Sequence, residues 1–168
     1  LFGGMGRLSE NSVINIKNRS HSVTAVIDIP EGTTAEGVIV AQGGAFGGWA
    51  LYAKEGRPAY CYNLMGLKQF KTYSQSSISA GEHQVRIEFT YDGGGLAKGG
   101  DVTLYLDGNE VGEGRVDGTV PMVFSADETT DVGSDSATPV SDDYDPRTSR
   151  FNGRIRWVQL DIDEAAED

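Results

Sequence analysis

The residues best suited to nucleophilic chemistry are two histidines and one cysteine. His21 and His83 both stand where predicted strands begin, and no G-x-S-x-G segment marks a serine nucleophile. The members of a hydrolytic triad need only meet in space, so the sequence disfavours such a site without excluding it. Cys61 lies between Tyr60 and Tyr62 with no basic residue beside it, which predicts a buried, unreactive thiol.

Two glycine-rich stretches imitate phosphate-binding loops but lack essential parts. In the segment 92–100, Lys98 is followed by Gly99, whereas a phosphate loop needs Ser or Thr and then a helix. The segment 43–48 is likewise followed by a strand pattern. We therefore predict a flexible hairpin connection at 92–100 and a sharp corner at 43–48, with Phe46 at its tip.

The acidic residues are concentrated in one segment and at the C terminus. The formal net charge is -11, and residues 117–146 contain eight acids and no Lys or Arg. Their carboxylates can supply ligands for calcium, but their spacing matches no calcium-loop pattern. We favour a solvated loop, or one covered by a partner, and keep metal binding as the alternative; the aspartates concerned are Asp127, Asp131, Asp135, Asp142 and Asp143.

A second set of carboxylates closes the last predicted strand. A glycosidase uses two carboxyl groups that act across a cleft, and the candidates for them here are Asp161, Asp163 and Glu164. Because they run into a polar tail, we predict a solvated terminus instead.

Seven aromatic residues in the middle of the chain are candidates for stacking on a sugar ring. Core packing explains most of them equally well, so both interpretations stay open. The seven are Phe46, Trp49, Tyr52, Tyr60, Tyr62, Phe70 and Tyr73.

Composition limits the classes of partner. The 168 residues suit one domain, 1–168. Outside the acidic segment and the tail the charges nearly balance, so a nucleic-acid partner, which needs a clustered basic face, is not expected. No apolar run approaches the ~20 residues of a membrane helix, so no membrane partner is expected. The single cysteine forms no internal disulfide and leaves the compartment open, and the initial Leu1 suggests a piece of a longer polypeptide.

Strand patterns separated by glycine-rich turns run through the chain. The clearest alternation of apolar and polar residues spans 84–91. Asp107-Gly108 predicts a two-residue type I′ turn between strands at 102–106 and 109–116. Along the strand at 151–162 the apolar side changes between Trp157 and Val158, which indicates either a bulge or a strand covered on both faces. The remaining predicted strands are 13–17, 22–29, 38–41, 49–53, 59–64, 69–73 and 122–125.

These patterns predict an all-β fold. No segment has a sustained helical period, and turns recur every 8 to 12 residues or so. With roughly ten strands and glycine corners, we predict a two-sheet antiparallel β-sandwich of jelly-roll type rather than a seven-stranded immunoglobulin-like sandwich.

Six segments in combination resemble the C-terminal region of bacterial arylsulfatases. They are KNRSH at 17–21, GVIVAQGG at 37–44, FGGWALY at 46–52, YDGGGLAKGG at 91–100, FSADETTDVG at 124–133 and GRIRWVQLDI at 153–162. The resemblance implies a concanavalin-like or laminin-G-like β-sandwich appended to an α/β sulfatase catalytic domain. Such sulfatases use a formylglycine made from Cys or Ser in a C/S-x-P-x-R segment, beside a divalent metal such as calcium.

The resemblance carries over no catalytic, cofactor-binding or metal residue. Cys61 is followed by Tyr62, Asn63 and Leu64, so the required Pro and Arg are missing. Our hypothesis is a non-catalytic accessory domain that packs on the sulfatase catalytic domain of the same polypeptide, stabilises it and shapes substrate access. The acidic segment 117–146 and the Phe46 corner are the expected contact surfaces. The alternative is a module that binds glycans, including sulfated ones; a free-standing enzyme comes third.

Overall fold

The structure, a computed structural model, describes residues 20–119, 130–135 and 138–162. The predicted strands at 13–17 and 122–125 lie outside these ranges, as do Asp127, Asp163 and Glu164. The described residues form ten strands and one 3₁₀ turn, Pro146–Thr148. The strands are β1 (His21–Ile29), β2 (Gly37–Gly44), β3 (Gly47–Lys54), β4 (Arg57–Leu64), β5 (Lys68–Tyr73), β6 (Gly81–Tyr91), β7 (Lys98–Leu106), β8 (Asn109–Gly118), β9 (Thr130–Val132) and β10 (Arg154–Ile162).

The strands form two five-stranded antiparallel sheets. The first sheet has the order β10-β1-β6-β7-β8, and the second has the order β5-β4-β3-β2-β9. The fold is thus a two-sheet antiparallel β-sandwich, which confirms the predicted class. No helix in the described ranges is long and apolar enough to cross a membrane.

The core lies between the two sheets. Because side chains alternate along a strand, β1 and β6 each send one residue in two into this core. The inward residues of the first sheet include Val23, Ala25, Ile27, Val85, Ile87 and Phe89, and they share one cluster with Trp49, Leu51, Tyr60 and Tyr62 of the second sheet. Burying each large side chain contributes about 1.5–3 kcal/mol, so this cluster is the main source of stability.

The sheets approach each other closely where β5 meets β8. A Cβ on Gly114 would lie 1.9 Å from Thr72 Oγ1, and one on Gly112 would lie 2.6 Å from the Tyr73 carbonyl oxygen. Only glycine fits between these atoms. The two glycines therefore let the sandwich close along this edge.

Both local irregularities expected from the sequence are present. Asp107 and Gly108 have φ angles of 51° and 82°, which confirms the type I′ turn between β7 and β8. In the β1–β10 pair, Val26 lies opposite Trp157 but Ile27 lies opposite Ile155, so Arg156 is an extra residue. This bulge moves the apolar side of β10 and leaves Trp157 on the outer face.

The outer faces of the two sheets differ. Residues 138–152, here called the covering segment, lie on the second sheet. Val140 is fully buried there and Tyr144 half-buried, and they pack on Val38, Ala41, Ala50, Tyr52, Ala59 and Cys61. Outward residues of the first sheet such as Gln84 and Gln159 are exposed.

Candidate functional site

Five of the seven candidate aromatic residues are buried, as the core-packing interpretation predicts. Trp49 and Tyr60 are 0% and 1% exposed and stack with ring centroids 6.4 Å apart. Trp49 Nε1 also donates a hydrogen bond of 3.0 Å to Gln42 Oε1. Tyr52, Tyr62 and Phe70 are buried as well. The sugar-stacking interpretation is therefore wrong for these five, because both faces of the second sheet are covered.

The other two of the seven are exposed but lie apart in the fold. Phe46 is 69% exposed at the two-residue turn between β2 and β3, where the corner was predicted. Tyr73 is 46% exposed at the end of the edge strand β5, and its hydroxyl donates to Asp143 Oδ2 at 2.5 Å. Burial, followed by this hydrogen bond, raises the pKa of Tyr73 to about 12. Neither residue forms a platform with the other.

Asp143 attaches the covering segment to the second sheet. One carboxylate oxygen accepts from Tyr52 and Tyr73, and the other accepts from Lys71 at 3.2 Å and Lys54 at 3.4 Å. Burial alone would raise the pKa of the Asp143 carboxyl, but these hydrogen bonds lower it overall. The neighbouring Asp142 also contacts Lys71. This part of the acidic segment thus lies on the sandwich rather than in solvent.

Asp135 and Asp131, two further candidates for metal binding, lie inside the fold. Asp135 Oδ2 accepts hydrogen bonds from the Val140 amide and the Tyr144 hydroxyl, at 2.8 and 2.5 Å. Asp131 is buried on β9 opposite Ala41. Within the described ranges no group of three His, Cys, Asp or Glu side chains is placed to hold a metal ion. The Asp135 carboxylate thus acts as an intramolecular acceptor.

Cys61 is a buried thiol, as predicted. It lies on β4 beneath the covering segment and is 0% exposed. Burial, followed by smaller effects of its neighbours, raises its pKa to about 12. A thiol in this state is a poor nucleophile.

The two histidines lie at opposite ends of the first sheet. His21 begins β1, is 5% exposed and stacks on Phe89 with centroids 5.1 Å apart. His83 is near the start of β6 and contacts Ser79 and Asp107. The two imidazoles therefore serve no common site.

The outer face of the first sheet is the polar surface with the best-defined arrangement. Arg86 of β6 faces outward because it alternates with the core residues Val85 and Ile87. The register places it in one row with Gln159 of β10, Thr24 of β1 and Tyr105 of β7. Trp157 lies on the same face, on β10 opposite Val26. We call the surface formed by Thr24, Arg86, Glu88, Tyr105, Trp157 and Gln159 the open face; Thr24 itself is only 6% exposed.

Hydrogen bonds fix the side chains of the open face. Arg86 Nη1 donates to Thr24 Oγ1 at 2.9 Å, and Arg86 Nε donates to Glu88 Oε1 at 3.2 Å. The Tyr105 hydroxyl donates to Glu88 Oε2 at 3.3 Å. Arg86 and Glu88 keep side-chain exposures of 34% and 43%, so both can also bond to a ligand. Trp157, 36% exposed, adds an apolar surface beside this network.

Carboxylates surround the centre of the open face. Asp161 continues β10, and Glu110 and Glu113 lie on the edge strand β8. A hydrogen bond and like-charge repulsion from Glu113 raise the pKa of Glu110, which shows how close the two acids are. Arg86 lies at the centre of this group and Arg115 of β8 is paired with Asp92 and Asp101, so carboxylates outnumber arginines on this face.

No motif in the sequence points to the open face. Two sequence patterns could have indicated it. One is the set of polar residues in the alternation at 84–91, which includes Arg86 and Glu88, and the other is the change in the apolar side of the last strand at Trp157. The row that joins them depends on pairing between strands distant in sequence. Sequence alone therefore does not assemble this surface.

Comparison with known proteins defines the type of sandwich. Domains LG4-5 of the mouse laminin α1 chain match with a TM-score of 0.58 and 18% identity, over 94% of this chain and 39% of that chain. A heptameric SAP-like pentraxin from Limulus polyphemus matches with a TM-score of 0.52 and 15% identity, over 84% of this chain and 63% of that chain. The chain is a jelly-roll β-sandwich. The predicted jelly-roll sandwich is thereby confirmed.

The comparisons reach no further than the fold. Sheep galectin-11, solved with glycerol, matches with a TM-score of 0.47 and 9% identity, over 92% of this chain and 94% of that chain. The chain spans less than two thirds of the laminin fragment and of the pentraxin chain. No protein-family model matches the chain, and no curated protein matches it in sequence. None of the three structures is described as a sulfatase.

Proposed function

We propose that this chain is a glycan-binding module and that the open face is its binding surface. The observation that carries the proposal is the fixed polar row from Thr24 through Arg86 to Tyr105, beside the half-exposed ring of Trp157. Sugars present hydroxyl groups around an apolar ring face. Fixed donors and acceptors next to an aromatic surface match both features.

The length of the polar row favours a chain of sugars over a single small molecule. The row crosses four strands, from Gln159 on β10 to Tyr105 on β7. Adjacent strands lie about 4.8 Å apart, so the row is about 14 Å long. That length accommodates two to three sugar units. An oligosaccharide can then contact several polar groups at once, each with a small gain in affinity.

The charges favour neutral glycans over sulfated ones. Glu88, Glu110, Glu113 and Asp161 outnumber Arg86 near the centre of the face, and the nearby Arg115 is already paired with Asp92 and Asp101. A sulfate group would be repelled by these carboxylates and would have to displace Glu88 from Arg86. We therefore propose neutral oligosaccharides as the ligand class.

A glycan-binding panel tests the proposal. The probes are neutral β-linked hexasaccharides of glucose, xylose, mannose and N-acetylglucosamine, with heparin and chondroitin sulfate as sulfated probes. We expect at least one neutral probe to bind and Arg86→Ala to weaken it about tenfold, which corresponds to one lost hydrogen-bonding group. Arg57→Ala is the matched control, because Arg57 is an exposed arginine on the second sheet. If no probe binds, or if both variants bind alike, the open face is not a glycan site.

An accessory domain for a sulfatase catalytic domain is the second candidate. It is supported by exposed apolar side chains at one end of the sandwich, namely Phe46, Met65, Leu67 and Leu96, which are 69%, 50%, 80% and 68% exposed. The turns carrying the first three are adjacent, since a Cβ on Gly66 would lie 3.6 Å from the Phe46 ring. Surfaces of this kind are typical of contacts between proteins.

The second candidate has a direct genetic test. Sequencing of the coding region that precedes the codon for Leu1 should show a C/S-x-P-x-R segment if the parent is a sulfatase. A coding region without that segment would reject the sulfatase parent and leave the glycan proposal untouched.

A further inference from the structure

Three polar residues meet at the end of the first sheet where β6 begins. Ser79 lies in the connection between β5 and β6, His83 lies on β6, and Asp107 is the first residue of the β7–β8 turn. Ser79 Oγ is 3.1 Å from His83 Nε2, and His83 Nδ1 is 2.6 Å from Asp107 Oδ2. The three side chains therefore form a continuous Ser-His-Asp hydrogen-bonded chain. The sequence gives little sign of it, because Ser79 has no nucleophile motif around it.

The hydrogen bonds determine which nitrogen of the neutral His83 imidazole carries the proton. Burial alone would raise the pKa of the Asp107 carboxyl, but hydrogen bonds from the Gln84 amide and from His83 lower it overall, so the carboxylate is ionised at neutral pH. An ionised carboxylate only accepts hydrogen bonds. In neutral His83, Nδ1 then carries the proton, and Nε2 is left to accept the Ser79 hydroxyl proton. This is the tautomer that a general base next to a serine requires.

The backbone holds the orienting acid in place. Asp107 Oδ1 accepts from the Gln84 amide at 2.8 Å, while the Asp107 amide donates to the Gln84 carbonyl at 2.8 Å. Asp107 is thus tied to the residue that follows His83. The His83 side chain is only 13% exposed, whereas Ser79 is exposed to solvent. The general base is thus sheltered, the Asp107 side chain is 46% exposed, and the nucleophile is accessible.

We propose that Ser79, His83 and Asp107 form an ester-hydrolysing site, separate from the open face, that acts on carboxylic esters with a small acyl group. Ser79 is the nucleophile, His83 is the general base and Asp107 is the positioning residue. The position of a Cβ on Gly81, two residues after Ser79, meets no atom within 4 Å, so the backbone next to the site is open and leaves an ester free to approach.

The reaction balances with water as the second substrate. Ser79 Oγ bonds to the ester carbonyl carbon while its proton passes to His83 Nε2. The tetrahedral intermediate collapses, the bond to the alcohol breaks, and the alcohol takes the proton from Nε2. Water, deprotonated by His83, then attacks the acyl-serine and releases the carboxylic acid. Ser79 and neutral His83 are restored.

Hydrolysis of p-nitrophenyl acetate by the full chain tests this site. A positioned general base contributes about 10²–10⁴-fold to a rate, so we expect Ser79→Ala to lower kcat by at least about a hundredfold. Ser77→Ala is the matched control, because Ser77 is an exposed serine of the same connection, and it should keep the full rate. Asp107→Asn should lower kcat with little change in KM. Equal rates for wild type and Ser79→Ala would overturn the proposal.

A second measurement needs no variant and so does not depend on folding of a mutant. Wild-type protein is treated with diisopropyl fluorophosphate, and the modified peptide is identified by mass spectrometry. The proposal predicts a single phosphorylated serine, Ser79. Absence of labelling, or labelling of other serines only, would contradict it, whereas a purely structural network predicts no selective labelling.

Discussion

Tyr52 of β3 donates a hydrogen bond of 2.5 Å to the Asp143 carboxylate of the covering segment, across 91 residues of chain. The side chain of Asp143 is only 10% exposed, so water screens this contact weakly. The same carboxylate holds Tyr73 and Lys71. This contact explains why an acidic segment can lie on a buried sheet face.

Replacing Asp143 by asparagine should destabilise the fold. Asparagine keeps the shape but loses the charge, and hydrogen bonds to a charged group contribute about 1.5–3 kcal/mol. We expect urea unfolding of Asp143→Asn to show a free energy of unfolding lower by about that amount. Asp142→Asn is the control, because the Asp142 side chain is 73% exposed and should matter much less. Equal stability of the two variants would contradict the role of Asp143.

The contribution of Asp143 should depend on pH in a defined direction. Its pKa in the folded state lies below the value of 3.8 expected in the unfolded chain. A lowered pKa stabilises the fold at pH values above the unfolded pKa, and this stabilisation is lost as the pH falls through the folded pKa. The difference in unfolding free energy between wild type and Asp143→Asn should be constant from about pH 5 to 7 and shrink below about pH 4. A difference that grows on acidification would be inconsistent with these contacts.

Cys61 should be unreactive in the native protein. Raising the pKa of a thiol from 9.0 to about 12 leaves about a thousandfold less thiolate at neutral pH, and burial blocks access as well. We expect reaction with 5,5′-dithiobis(2-nitrobenzoic acid) to be very slow in buffer and complete within minutes in 8 M urea. Rapid modification of the native chain would show that the covering segment opens readily.

The close approach of the sheets at β8 should make replacement of Gly114 destabilising. In Gly114→Ala the new methyl group would lie 1.9 Å from Thr72 Oγ1, and overpacking of this kind costs about 1–3 kcal/mol. Gly118→Ala, on the same strand, meets its nearest neighbour at an ordinary 3.5 Å and should be tolerated. The melting temperatures of the two variants test this difference. A stable Gly114→Ala would mean that the sheets lie further apart.

Local features of this fold are predictable from sequence, and long-range ones are not. The Asp107-Gly108 turn and the alternation along β6 depend on neighbouring residues, so both are confirmed at the predicted places. Whether Tyr52 is buried or exposed depends on the covering segment, which begins more than 80 residues later. Apolar runs such as β2 and β3 are buried on both faces, and their pattern does not say what covers each face.

The candidate sites show the same limit. The sequence marks a change of side next to Trp157, but only the bulge at Arg156 shows that the indole faces outward. Ser79 and Asp107 are 28 positions apart, and the β7–β8 turn brings Asp107 to His83. Each site consists of ordinary residues that acquire a role through strand register.

The most direct test of the proposed function uses the two indole N–H groups as reporters. Trp49 is buried in the core and Trp157 lies on the open face, so their ¹H–¹⁵N signals separate the two environments. The protein is titrated with the tightest-binding neutral hexasaccharide of the panel, and each signal is assigned with a Trp157→Phe variant. The open-face proposal predicts saturable shifts of the Trp157 indole signal and an unchanged Trp49 signal. Binding that leaves Trp157 unshifted, or that shifts residues of the Phe46 turn instead, would contradict it.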